Sequence, residues 1–177
     1  MKYTILLIAV ALLFCGCSNK ASAPELMMRF IIKALQTGDY QMFADSFMDE
    51  NDIAFFQKRD HLSIEYKEAD QEGKAAIDES YEKQMQEQPE IVKSLWDRVL
   101  EHGKQEYHID WKAVEYLRHE LGNRTIDKGM PSQLEIYENP FVEFTYQNAR
   151  YMLVFKGIIK TPAGWVIIGT DFNFTKI

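Results

Sequence analysis

Apolar residues recur at three- and four-residue steps through the first two thirds of this chain, then give way to strand-like runs after Ser132. Met27, Phe30, Ile31, Ala34 and Leu35 form one helical stripe. Ser22 stands three residues before Glu25 with Pro24 between them, which predicts a capping box with proline in the first turn, and Gly38 suits the C-terminal cap. Asp39 then caps a second helix whose face is Tyr40, Phe43, Ala44 and Phe47. From Gln57 to Gln88, Leu62, Tyr66, Ala69, Ala76, Tyr81 and Met85 predict a long, thinly apolar helix weakened or broken at Gly73. Pro89 opens a richer one with Ile91, Val92, Leu95, Trp96, Val99 and Leu100 inward, closed at Gly103. Asp110 caps a last predicted helix, with Trp111, Val114, Leu117 and Leu121 on its face and Gly122 at its end.

Leu134 to Tyr137, Phe141 to Tyr146, Tyr151 to Lys160 and Trp165 to Phe174 read as strands separated by turn residues. A turn tip at Pro162-Ala163 pairs Ile159 with Val166, Gly157 with Ile168, Phe155 with Thr170 and Leu153 with Phe172. A tip at Asn148-Ala149 pairs Tyr146 with Tyr151 and Phe144 with Leu153. Both registers gather Val142, Phe144, Tyr146, Tyr151, Leu153, Phe155, Ile159, Val166, Ile168, Phe172 and Phe174 on one face, and a one-residue slip at either turn would scatter them. The opposite face holds Glu143, Thr145, Met152, Val154, Lys156, Ile158, Trp165, Ile167, Asp171 and Asn173. The expected architecture is α+β: N-terminal helices on one face of a C-terminal curved antiparallel meander.

The first seventeen residues change this picture. Lys2, the apolar run Ile5 to Phe14 and the sequence Leu13-Phe14-Cys15-Gly16-Cys17 resemble a bacterial lipoprotein signal. The run is shorter than the roughly 20 apolar residues that a membrane span needs. The resemblance implies cleavage before Cys17 and lipid on its thiol. Ser18 in place of aspartate points to the outer membrane rather than the inner. Residues 1–16 are then a signal peptide, 17–23 a lipidated tether, and 24–177 one domain containing a helical stretch over 57–122. Cleavage leaves 161 of the 177 residues and, with Lys2 gone, takes the formal charge from −7 to −8. Such an acidic chain argues against nucleic acid as a partner and leaves membrane attachment to the lipid. Cys15 and Cys17 are the only cysteines, so thiol chemistry, thiolate metal sites and disulfides are excluded from the domain.

The opening Phe30-Ile31-Ile32-Lys33-Ala34-Leu35-Gln36-Thr37-Gly38-Asp39-Tyr40 and the closing Lys160-Thr161-Pro162-Ala163-Gly164-Trp165-Val166-Ile167 resemble the NTF2-like (cystatin-like) superfamily. The resemblance implies a cone-shaped domain with a cavity between helices and sheet. Tyr146, Tyr151, Phe155 and Thr170 are the candidate ligand-binding residues inside it. Met152, Val154, Ile158, Trp165 and Ile167 are the candidate interface: this outer apolar face either docks a second copy or lies under a helix of the 57–122 region.

An isomerase-type member would need a carboxylate base in the cone. The predicted inner face has none, so a base would come from a helix residue such as Asp45, Asp49 or Glu50. His61, His102, His108 and His119 form no metal-binding spacing, and no phosphate loop or nucleophile elbow is present. No metal or cofactor is expected. The favoured function is an envelope lipoprotein that binds a small apolar ligand or a protein partner without catalysis. The alternatives are a hydrolase or isomerase with a helix-borne acid–base group, and an assembly protein that dimerises through the sheet.

Overall fold

Helix α1 (Pro24–Thr37) is the centre of the molecule, with Met27, Met28, Ile31, Ile32, Ala34 and Leu35 buried and Pro24 in its first turn. This apolar arc is wider than the predicted stripe, because the helix lies against the sheet and other helices. The computed structural model describes residues 20–127 and 133–177; the signal segment and Cys17 lie outside them. Ala23, not Ser22, is the N-cap of α1, and it makes no side-chain capping bond, so the predicted capping box is absent. Gly38 closes the helix in the left-handed conformation as expected.

Helix α2 (Tyr40–Ala44) starts where the Asp39 carboxylate accepts from the Met42 N–H at 3.0 Å. Helix α3 (Glu50–Asp60) carries a full capping box between Asp49 and Asp52. A short α4 (Ile64–Glu68) is capped by Ser63. Helix α5 (Gln71–Tyr107) runs unbroken for 37 residues, about 55 Å. Two predicted boundaries therefore fall inside it. Gly73 sits in its first turn, its N–H donated to the Asp70 cap, and Pro89 lies mid-helix, where a proline removes the donor for the Met85 carbonyl. The break expected at Gly73 falls instead at Leu62-Ser63 and at Ala69-Asp70.

Asp110 caps only a three-residue 3₁₀ turn, Trp111–Ala113, and the chain then enters strands β1 (Glu115–Glu120) and β2 (Asn123–Asp127). The predicted helix over 110–122 is overturned, so the helical stretch expected over 57–122 ends at Tyr107. β1 pairs with β4 (Phe141–Tyr146), and β2 with β3 (Leu134–Glu138), in a register shared from Arg118 onward, so the six strands behave as four long ones. β5 (Ala149–Thr161) runs along both β4 and β3, and β6 (Gly164–Lys176) along its other edge. The antiparallel meander is thus real and curled into a half-barrel with one more long strand than the three that register arithmetic built.

One line of irregular backbone crosses all four long strands. It passes through Gly122 (φ 76), Asn139 (φ 54), Lys156 of β5 and the bulge of β6 that begins at Gly169 (φ 90). A Cβ on Gly122 would lie 1.9 Å from the Glu138 carbonyl oxygen, so only glycine fits there. At the last crossing Gly169, Thr170 and Asp171 oppose the single residue Lys156.

This bend changes which face each residue takes. Before it, Tyr151, Leu153 and Phe155 face the main core; beyond it, Ile158, Trp165 and Ile167 do. Ile159 and Val166 turn to the other face and form a second cluster with Leu134, covered by Phe55 and Phe56 of α3. The pairs Ile159–Val166 and Gly157–Ile168 are as predicted, but Phe155 pairs with Phe172 and Leu153 with Phe174. The preceding turn tip is Gln147-Asn148, both at positive φ, which puts Phe144 beside Tyr151. The free edge of β6 is occupied in part: Trp165 N–H donates to Ala21 O at 3.0 Å and Ile167 N–H to Ser46 O at 2.8 Å.

Candidate functional site

The inner face of the sheet is packed with rings. Tyr151 is stacked on Phe144 with centroids 5.5 Å apart, Trp111 lies 5.5 Å from Phe144, and Tyr107 meets Tyr151 edge-on at 5.3 Å. Tyr151 and Phe155 are buried among these groups, and Tyr146 is half-buried, accepting from Gln147 Nε2 at 3.1 Å. Thr170 is exposed in the bulge, where its carbonyl accepts from Arg98 at 2.9 Å. The structure therefore does not gather the four predicted ligand-binding residues around a common space.

The predicted interface also divides. Ile158, Trp165 and Ile167 are core residues under the helices, because the bend reverses their face; only Met152 and Val154 remain half-buried on the outer side. Opposite Met152 in the sheet, Glu143, also predicted to be outward, is almost completely buried at 1% exposure. Arg118 and Arg150 each take one of its carboxylate oxygens. Burial pushes this carboxyl up, but the two guanidiniums outweigh it and hold it below its usual 4.5.

A second polar cluster ties α3, α4 and α5 together. Asp78 receives His61 Nε2 at 2.6 Å, the Tyr66 hydroxyl at 3.0 Å and Gln57 Nε2 at 3.3 Å. The His61 bond, then those from Tyr66 and Gln57, outweigh burial and hold Asp78 below the usual carboxylate range. The nearby Ser63 hydroxyl oxygen is occupied as a helix cap by the Tyr66 N–H. These contacts fasten the C-terminus of α3 to the start of α5 and leave the aspartate saturated. Among the described residues no group of His, Cys, Asp or Glu has the geometry to hold a metal ion.

The open site lies elsewhere. A cleft of about 370 Å³ runs between α2, the α2–α3 link and the middle of α5. Tyr40, Ala44, Met48, Met85, Pro89 and Val92 give it an apolar floor. Asp45, Asp49 and Glu50 stand around it, so all three carboxylates proposed as helix-borne bases line this cleft and not the ring-packed sheet. Gln88 projects from α5 into the wall; the residue is only 8% exposed, and its carboxamide takes part in no hydrogen bond with protein among the described residues.

Lys20 closes one end. Its side chain is 5% exposed, and its ammonium meets Asp52 at 2.8 Å, Asp49 at 3.2 Å and the Phe47 carbonyl at 2.6 Å. Three donors meet three acceptors, and the cation is used up within the wall. Burial raises Asp49, but the Asp52 N–H together with the charge and hydrogen bond of Lys20 brings it below its ordinary 3.8. The residues expected to form a loose tether are thus partly built into the domain, from Lys20 onward. Nothing in the local sequence announces this cleft, since its lining is spread from Lys20 to Val92; the run Asp45-Ser46-Phe47-Met48-Asp49-Glu50 was its best signal.

Fold and site define an α+β protein with a coiled sheet, a filled inner face and an acidic-rimmed cleft among its helices. Compared with protein-family models, curated proteins and solved structures, the chain matches none. Among the described residues no helix is long and apolar enough to cross a membrane.

Proposed function

We propose that this chain is a lipid-anchored envelope protein, held at the outer membrane through Cys17, which binds a small, partly apolar ligand in the α2–α5 cleft without catalysis. The observation that carries this reading is the position of Lys20. It lines the cleft and is locked there by Asp49 and Asp52, yet it stands only three residues after Cys17. Three residues reach at most about 10 Å. A lipid on Cys17 would hold the cleft close to the bilayer surface, where it meets ligands entering or leaving the membrane. The cleft suits a binding role for a second reason: an apolar floor with a few convergent polar groups is the usual makeup of a small-molecule site.

The dimer reading keeps only Met152 and Val154 of its five interface residues and is not carried further. The catalytic reading has its carboxylates in the cleft, and among the described lining residues none is a serine, threonine or cysteine that could serve as nucleophile.

Membrane fractionation tests the anchor: Cys17→Ser should move the protein to the soluble fraction, and its retention in membranes would remove the anchor from the proposal. Native mass spectrometry of the gently extracted protein tests the binding role. A bound mass of a few hundred daltons, lost on substituting Val92→Trp in the floor, is the expected result. A bare mass at every extraction condition would count against it.

A further inference from the structure

We infer that the cleft selects a small amphipathic cation: an amine or quaternary ammonium carried on an apolar body. The inference rests on the reading of the cleft as the binding site and adds the charge of what enters it. Three observations combine. The side chains around the opening are rich in acceptors: Asp45, Asp49 and Glu50 bring three carboxylates against one lysine. That lysine offers nothing to a ligand anion, because its ammonium is bound to Asp49, Asp52 and the Phe47 carbonyl.

The second observation is Gln88: the residue is only 8% exposed and lines the same cleft, and its carboxamide makes no hydrogen bond to protein among the described residues. Its polar atoms are not sealed from the cleft, so a ligand group that enters there can bond to them in place of solvent. The third is Pro89, one residue on and also in the lining, which leaves the Met85 carbonyl without its i+4 helical donor. With Asp49 held by Lys20 and its helix cap, the groups able to accept are Asp45, Glu50, Gln88 Oε1 and the Met85 carbonyl, and the ligand that fits them is one that donates. An ammonium donates and carries the complementary charge. The rest of the lining, Tyr40, Ala44, Met48, Met85 and Val92, demands an apolar body. Two methionines in that floor let it adapt to bodies of different shape.

The test uses the intact chain from Cys17 onward, with Cys17→Ser keeping it out of membranes, and three probes of one shape: 4-phenylbutylamine, 4-phenylbutanol and 4-phenylbutyrate. Binding is followed by two-dimensional amide NMR, which reports affinity and place together. The amine should shift signals of α2, the 45–50 link and residues 85–92, bind about tenfold more tightly than the alcohol, and weaken as salt is added. The butyrate should not bind. The double variant Asp45→Asn, Glu50→Gln should weaken the amine about fivefold and the alcohol by less than about twofold, and Gln88→Leu should weaken both. An unchanged amide spectrum elsewhere shows that each variant is folded. If amine and alcohol bind the cleft equally, the charge selection is wrong while the cleft stands. If none of the three shifts the cleft, both the selection and the site are wrong.

Discussion

Lys20 and Asp52 form an ion pair at 2.8 Å in which the lysine side chain is 5% and the aspartate 1% exposed. Asp52 also accepts the Asp49 N–H at 3.2 Å, closing the capping box of α3. One carboxylate thus holds both the entry of the chain and the start of a helix. Removing one partner of such a pair leaves a buried charge uncompensated, which costs about 3–5 kcal/mol. Asp52→Ala should lower the unfolding free energy by about 3 kcal/mol in urea titration. A loss under about 1 kcal/mol would mean that the 20–23 segment is not fixed in this way.

Gly103 offers a test with competing signs. Alanine in a helix interior gains up to about 1 kcal/mol over glycine from propensity alone. A Cβ on Gly103, however, would lie 2.4 Å from Trp111 Cζ2, and the indole is fixed in the core with its N–H donated to the Leu100 carbonyl at 3.3 Å. Overpacking against a held ring costs about 1–3 kcal/mol. Gly103→Ala should therefore destabilise, by about 1–2 kcal/mol net, with Trp111 fluorescence shifted in the folded state. A more stable variant would show that the indole moves aside at no cost.

These particulars show what the sequence disclosed and what it withheld. Helix starts at Asp39 and the closing Gly38 were readable because capping is chemistry within four residues. The turn at Pro162-Ala163 was readable for the same reason. Val114, Leu117 and Leu121 happen to fall at helical spacing, but pairing with β4, far along the chain, overrides that local pattern. The face reversal at the bend moved Ile158, Trp165 and Ile167 inward; lone glycines at 157 and 169 within strand patterns were its one advance sign. The cleft had little beyond the run from Asp45 to Glu50, because its lining is gathered from positions between Lys20 and Val92 that only the fold brings together.

Glu143 sets an expectation for acid. Its carboxyl is pulled below 4.5 in the folded state by Arg118 and Arg150, against the effect of burial. A depressed carboxyl contributes stability above its unfolded value, and that contribution fades as pH falls below about 4.5. Glu143→Gln should cost about 1–2 kcal/mol at pH 7, discounted because both arginines are half exposed. The gap between wild type and variant should then shrink as the pH is lowered through the acid range. A gap that stays constant down to pH 3 would show that the glutamate titrates as it does in the unfolded chain.

Trp165 separates the two pictures of the sheet. On an outer face, Trp165→Glu would leave a folded monomer and break a dimer. In this structure the indole is 5% exposed, packs 5.5 Å from the Tyr137 ring, and its backbone N–H binds Ala21 at the edge of β6. A carboxylate there would replace a large apolar burial and lie unpaired among apolar groups, a loss of about 4 kcal/mol or more. Small domains carry only about 5–15 kcal/mol in all. Trp165→Glu should therefore cut the unfolding midpoint sharply or prevent folding, whereas Met152→Glu, on the half-buried outer side, should leave the midpoint nearly unchanged. Circular dichroism melts of the two variants decide the matter: equal, small effects would return Trp165 to the surface, and a collapse confined to Trp165→Glu fixes the bend in the sheet as the element that turns it inward.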